Sequence, residues 1–173
     1  MVASIFLNKV LVIIALLATF QANKWNDLIP LVSTRADVEK VLGPPISSSK
    51  VAYAAEYKTE DAKISIGYST GCSRKPNDGW NVPPGRVINI TVYPNVRQKF
   101  SSNKLNLAKY NKVTDSELSR FSYYTSEEDG ISITVNTDDD EITSVSYFPM
   151  AKDNKLLCRT SLLKKKKTKS RYS

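Results

Sequence analysis

The six residues ISIGYS, Ile64 to Ser69, show the pattern that decides the fold. Apolar Ile64, Ile66 and Tyr68 alternate with small or polar residues, which is the period of a strand with one buried and one wet face. Five other segments show the same period, namely 51–58, 88–92, 121–125, 130–135 and 142–149. The sequence therefore predicts about six strands in one mainly antiparallel sheet.

A short helix is predicted ahead of these strands, in the stretch STRADVEKVLGPP, residues 33–45. Thr34 is a suitable N-cap because Asp37 follows at the third helical position, and a glycine and two prolines end the helix. The predicted helix, Arg35–Leu42, has three apolar residues on one face, Val38, Val41 and Leu42. So short a helix is unstable alone. We therefore expect an α+β fold, with a short N-terminal helix packed on the sheet.

The predicted strands also suggest an internal repeat. At an offset of 67 residues Tyr57 matches Tyr124 and Ile64 matches Ile131, and the third strands match at an offset of 55. We interpret this as a degenerate tandem of βββ units, with halves of about 28–94 and 95–149, inside a single domain covering 23–158. Chance similarity between β-rich segments is the alternative.

Residues 1–22 have the composition of a secretory signal peptide. Lys9 precedes an eleven-residue apolar run, 10–20, and small residues follow near its end. This run is shorter than the ~20 residues that span a bilayer. We expect a signal peptide at 1–22 and an exported protein, either periplasmic or secreted; a retained anchor and a buried N-terminal helix are the alternatives.

Cys72 and Cys158 are the only cysteines. In an oxidising compartment two thiols usually form one disulfide, which here would join a mid-chain loop to the C-terminal end. Closing so large a loop contributes roughly 3–4 kcal/mol. Two separate buried thiols are the alternative. The chain has no histidine to complete a cysteine-containing zinc site, and we expect neither a metal nor another cofactor.

The net charge of +8 is concentrated at the C-terminus. Residues 159–173 hold seven basic and no acidic residues, so that 23–158 is neutral overall. We predict a disordered tail that binds an anionic envelope surface or stays solvated without a fixed partner. Its candidate surface-binding residues are Lys164, Lys165, Lys166, Lys167, Lys169 and Arg171. Nucleic acid is not an expected partner of an exported protein.

No catalytic motif is recognisable in the sequence. Without histidine the commonest general base and the usual nucleophile pairs are missing. The acidic residues cluster at 127–129 and 138–141, in predicted turns, and no glycine-rich phosphate loop occurs. We therefore expect no enzymatic activity, no catalytic residue and no small-molecule substrate.

Two aromatic residues are candidates for partner binding. Trp80 lies in the polar loop DGWNVPPG, 78–85, and tryptophan is over-represented among interface hot spots. Alternatively, Trp80 packs beneath its loop beside the disulfide. Tyr124 is the tyrosine that strand alternation most favours for the exposed face of the sheet.

The helix and the strands after it resemble the SmpA/OmlA family of BamE-like envelope proteins. The matching residues, in the pattern T-x-x-x-V-x-x-x-L-G-x-P, are Thr34, Val38, Leu42, Gly43 and Pro45. The resemblance implies a helix-plus-sheet scaffold that binds protein or lipid in the envelope. A lipobox cysteine, which would carry a lipid anchor, does not follow the signal segment.

Two further resemblances bear on fold and compartment. A tandem of such units with a disulfide is similar to the fold of secreted β-lactamase-inhibitor proteins. The segments 33–45, 80–85 and 88–94 resemble exported bacterial proteins without an assigned activity. We expect a non-enzymatic binding module of the bacterial cell envelope that contacts an envelope protein or an anionic surface. The alternative is a secreted inhibitor that binds an enzyme through its sheet face. The sequence leaves the oligomeric state open.

Overall fold

The computed structural model describes residues 23–48, 53–72, 79–103, 105–114 and 120–158. The predicted signal peptide at 1–22 and the predicted basic tail at 159–173 lie outside these residues, as does each of the tail's candidate surface-binding side chains.

Eight strands of the described chain form a single antiparallel sheet. They are β1 (Ser47–Ser48), β2 (Ala54–Lys58), β3 (Ala62–Tyr68), β4 (Val87–Pro94), β5 (Asn111–Thr114), β6 (Phe121–Ser126), β7 (Ile131–Asn136) and β8 (Glu141–Tyr147). Their order across the sheet is β1-β2-β3-β4-β8-β7-β6-β5. Among the described residues, one α-helix, α1 (Arg35–Leu42), precedes the sheet, and three 3₁₀ helices cover Phe100–Ser102, Leu107–Lys109 and Ala151–Leu156.

The sheet consists of two four-stranded meanders joined by the pairing of β4 with β8. Within each meander, neighbouring strands are antiparallel: Ile64 pairs with Val92 in the first, and Ile131 pairs with Tyr147 in the second. This strand order is compatible with a tandem repeat but does not require one. The repeat itself stays a prediction.

One face of the sheet carries the core. Its buried side chains alternate along each inner strand, as in β3, where Ile64 and Ile66 are buried and Ser65 is partly exposed. The hydroxyls of Tyr57 and Tyr68 lie 2.9 Å apart inside this core, so that one donates a hydrogen bond to the other. Burial on one face only is the physical cause of the period-two pattern in the sequence.

The expected fold class, α+β with a short N-terminal helix packed on a sheet of about six strands, is wrong. The described part of the chain is mostly an antiparallel sheet of eight strands and contains little helix. Of the apolar face predicted for α1, Val38 is buried and Leu42 is partly buried, while Val41 is 45% exposed.

The helix does not cover the sheet because it is much shorter than the sheet is wide. A helix of eight residues is about 12 Å long, whereas eight strands at ~4.8 Å spacing span about 34 Å. Irregular segments therefore supply most of the cover. Leu28 and Trp25 come from the chain before α1, and Phe100, Leu105 and Tyr110 come from the segment between β4 and β5.

The helix itself has the predicted bounds and caps. The Thr34 side chain accepts a hydrogen bond from the Asp37 N–H, and the Asp37 carboxylate accepts one from the Thr34 N–H at 2.8 Å. These two bonds form a capping box. Because Thr34 donates to its carboxylate, the pKa of Asp37 is lowered from its ordinary value.

The two cysteines lie at disulfide distance, as predicted. The Cα atoms of Cys72 and Cys158 are 5.5 Å apart, and the bridge closes a sequence separation of 86 residues. Cys158 is buried, and Cys72 is exposed. The bridge fastens the loop after β3 to the end of the described chain.

Val38→Ala should destabilise the protein by about 2 kcal/mol, because it removes buried methyl groups from the core. Val41→Ala on the same helix is the matched control and should change stability by less than about 0.5 kcal/mol. Urea unfolding measures the stability of both variants. Both replace valine by alanine in α1, so the gain in helix propensity is the same and cancels in the comparison. Equal losses would show that α1 is not held to the core through Val38.

The capping box should make stability depend on pH through Asp37. Its lowered folded-state pKa means that the stabilisation is present above the unfolded carboxyl value and is lost as pH falls through the folded value. Wild type should therefore be more stable than Asp37→Asn at pH 7, and the difference should shrink below about pH 4. Thermal unfolding of both proteins at several pH values checks this; a difference that does not vary with pH would contradict it.

Replacing both cysteines, Cys72→Ala with Cys158→Ala, should cost about 4 kcal/mol, because the loop entropy of the unfolded chain is restored. Urea unfolding measures the loss, and a reductant should lower the stability of wild type while leaving the double variant unchanged. Alkylation of the unreduced, denatured protein should label neither cysteine. Labelling of both would contradict the bridge.

Candidate functional site

The face of the sheet opposite the core carries small polar side chains, and we call it the open face. Five hydroxyl residues stand in register across five neighbouring strands. This hydroxyl row is Ser65, Thr91, Ser146, Ser132 and Thr125. Each of its members is partly exposed.

Two neighbouring pairs of the hydroxyl row lie within hydrogen-bonding distance. The Thr91 and Ser146 hydroxyls lie 3.1 Å apart, and those of Thr125 and Ser132 lie 2.8 Å apart. A hydroxyl has one donor and two acceptor positions, so each keeps bonding capacity toward solvent or a partner. The centre of the open face is therefore polar, and four of its hydroxyls contact one another across strands.

The loop between β3 and β4 stands at one end of this face. Its base is closed by two backbone hydrogen bonds, from the Ser69 N–H to the Arg86 carbonyl at 2.7 Å and from the Gly85 N–H to the Ser69 carbonyl at 2.8 Å. Gly79 has a φ of +100°, and a side chain at this position would overlap the Gly71 carbonyl oxygen. The loop thus folds back on itself close to the disulfide.

The C-terminal segment pairs with this loop. The Asn81 N–H donates to the Leu156 carbonyl at 2.7 Å, and the Cys158 N–H donates to the Gly79 carbonyl at 3.1 Å. An isolated bridge also joins Trp80 to Leu157. These contacts and the disulfide hold the loop against the end of the 3₁₀ helix Ala151–Leu156.

A groove of about 400 Å³ lies between the loop, β4, the turn after β6 and the 3₁₀ helix that follows β8. We call it the Trp80 groove. Its apolar lining includes Trp80, Ile88 and Phe148, and its polar lining is Asn89, Glu127 and Asn154. Sites for small ligands combine an apolar wall with a few polar groups in this way.

Asn89 is positioned by the residue opposite it in the sheet. It pairs with Gly67 across β3 and β4. A Cβ atom on Gly67 would overlap the Asn89 Oδ1 and lie 3.1 Å from its Cγ. The carboxamide of Asn89 therefore lies over Gly67, in space that only glycine leaves free.

The two predicted partner-binding residues lie in different places. Trp80 is partly exposed and lines the groove beside the disulfide-bonded loop. The predicted placement of Tyr124 on the exposed face is wrong. Tyr124 pairs with Ile133 on the covered face, where its ring centroid lies 4.4 Å from that of Phe100. Partner binding by Tyr124 stays a prediction, but the exposed position on which that prediction relied is not the one that Tyr124 occupies.

Three carboxylates of the acidic turns accept side-chain hydrogen bonds, namely those of Asp129, Asp139 and Asp140. Asp140 accepts from the Ser101 hydroxyl at 2.5 Å, and this bond lowers the pKa of its carboxyl group. Within the described residues, no group of three or more His, Cys, Asp or Glu side chains could hold a metal ion. In the same residues, no helix is both long and apolar enough to cross a membrane.

Three residues of the groove are not predicted by the sequence. Asn89, Glu127 and Asn154 come from β4, from the turn after β6 and from the C-terminal 3₁₀ helix. Sequence spacing does not connect them, because the sheet topology brings them together. The one available signal is Gly67, a glycine inside a strand, which often marks close approach of another group.

The chain was compared with family models, curated proteins and solved structures, and none of the three comparisons gave a match.

Proposed function

We propose that the chain is an exported, non-enzymatic binding module of the bacterial cell envelope, which contacts its partner through the open face and the Trp80 groove. The observation that carries this proposal is the one-sided sheet. Its apolar side chains are covered on one face, while the opposite face presents the hydroxyl row and ends at the groove. A rigid scaffold with one accessible face suits binding.

Export is supported by the cysteine pair. Disulfides form and persist in oxidising compartments and are rare in the bacterial cytosol. The bridge between Cys72 and Cys158 also fixes the loop that supplies Trp80 to the groove. The signal-like composition of residues 1–22 and the resemblance of residues 34–45 to the BamE-like pattern favour the same compartment.

A binding role is also supported by the chemistry of the open face. Hydroxyls of the row bond to other hydroxyls, as Thr91 does to Ser146, and none can be activated by histidine because the chain has none. The basic residues 164–171 would add attraction to an anionic surface, on the order of 1 kcal/mol per charge near it. This attraction would weaken with salt.

Sedimentation with washed bacterial envelopes tests the proposal. Purified full-length chain should bind them, and Ser132→Arg with Ser146→Arg should reduce binding at least about tenfold, because two long cations then cover the hydroxyl row. Deleting residues 164–173 should remove the part of the binding that salt weakens.

Ala36→Arg with Ala108→Arg is the matched control, since it adds the same charge at exposed positions outside the open face. With both variants assayed at high salt, where attraction between charges is screened, the control should leave binding unchanged. Equal binding by the control and the open-face variant would show that the open face is not the contact surface. Absence of envelope binding, with the protein free in the medium, would overturn the proposal and favour a secreted inhibitor.

A further inference from the structure

Four polar groups around the Trp80 groove make no hydrogen bond with the described part of the chain. They are the indole N–H of Trp80, the carboxamides of Asn89 and Asn154, and the carboxylate of Glu127. On the neighbouring open face, by contrast, hydroxyls of the row are paired with each other. Glu127 and Asn154 are exposed and Trp80 and Asn89 are partly exposed, so all four groups are accessible to a ligand in the groove.

We infer that the Trp80 groove binds a neutral oligosaccharide. This inference deepens the proposed function, on which it rests for the setting of the site, by naming the chemical class of its ligand. Three features of the groove support it: the mixture of donors and acceptors, the charge of the lining and the aromatic wall.

The first feature is the mixture of donors and acceptors. The indole of Trp80 only donates, the carboxylate of Glu127 only accepts, and each carboxamide does both. A sugar hydroxyl also does both, so a ring of hydroxyls can satisfy all four groups. A ligand with only donors or only acceptors would leave some of them unpaired, at a cost in affinity.

The second feature is charge. Glu127 is the only charged side chain among the described residues that line the groove, and Glu128 and Asp129 follow it in the same turn. A phosphate, a carboxylate or another anionic ligand would meet a carboxylate there without a compensating cation in the lining. Among the described lining residues the one charged group is thus an acceptor, which suits a hydroxyl donor better than an anion.

The third feature is shape. Trp80, Ile88 and Phe148 form apolar walls, and the cavity volume of about 400 Å³ is near the lower end of the range for small-ligand sites. A pyranose ring has an apolar C–H face and a polar rim, so it can lie on an indole while its hydroxyls reach the amides. An extended peptide would instead seek unpaired backbone groups, which a sheet offers at its edges and not on its face.

Gly67 provides a way to disturb the site without truncating any of its residues. Gly67→Ala would place a methyl group where the Asn89 carboxamide now lies, so that this flexible side chain must turn away. The indole of Trp80, the carboxylate of Glu127 and the backbone of β4 would be left in place. Loss of sugar binding in this variant would point to the position of the Asn89 amide.

Titration of the full-length, oxidised protein with cellotetraose, chitotetraose and maltotetraose, followed by calorimetry and NMR, tests the inference. At least one of these sugars should bind saturably, with a Kd of about 1 mM or lower. Trp80→Ala should weaken that binding at least about tenfold, and Gly67→Ala about fivefold. Tyr53→Ala, which removes an exposed aromatic ring at another part of the sheet, is the matched control and should not change it.

Thermal unfolding shows whether Trp80→Ala remains folded. If Trp80→Ala is unfolded, the sugar binding of Gly67→Ala alone tests the inference. Saturable binding of none of the three sugars would overturn the inference, as would sugar binding that Trp80→Ala and Gly67→Ala leave intact. Tighter binding of tetra-alanine than of every sugar would also overturn it. If envelopes are still bound through the open face, only the oligosaccharide ligand is wrong; if envelope binding is also absent, the proposed function fails with it.

Discussion

The pairing of β4 with β8 is the contact on which the rest of the structure depends. It joins the two meanders into one sheet through three residue pairs, Ile90 with Tyr147, Thr91 with Ser146 and Val92 with Val145. Two of these pairs continue the core across the junction, and the middle pair continues the hydroxyl row on the open face. Without this pairing β4 and β8 would each be an unpaired edge of a separate four-stranded sheet.

The same pairing places the groove. Because β4 and β8 are antiparallel, the start of β4 lies beside the end of β8. The loop that carries Trp80 enters β4, and the chain that leaves β8 continues through Phe148 into the 3₁₀ helix Ala151–Leu156. The disulfide then joins these two segments, so the groove walls belong to both halves of the molecule.

Sequence patterns predicted the six inner strands and α1, because each has a buried and an exposed side. The edge strands β1 and β5 were missed; β5 is exposed at all four positions, so no burial imposes a period on it. Tyr124 was placed on the wrong face because β6 turns two serines inward, Ser122 and Ser126, whose hydroxyls have partners within hydrogen-bonding distance. Trp80 and the cysteine pair were identified, whereas the groove's polar residues depend on contacts between distant segments.

The β4–β8 junction also has a consequence for how the chain reaches its native state. Strands within each meander are close neighbours along the chain, but Thr91 and Ser146 are separated by 55 residues. Local hairpins lose little loop-closure entropy and can form early. The pairing of β4 with β8 closes a longer loop, costs more entropy and is expected to form later. The rate of folding should therefore be governed by the docking of two preformed halves, after which the thiols come close enough to oxidise.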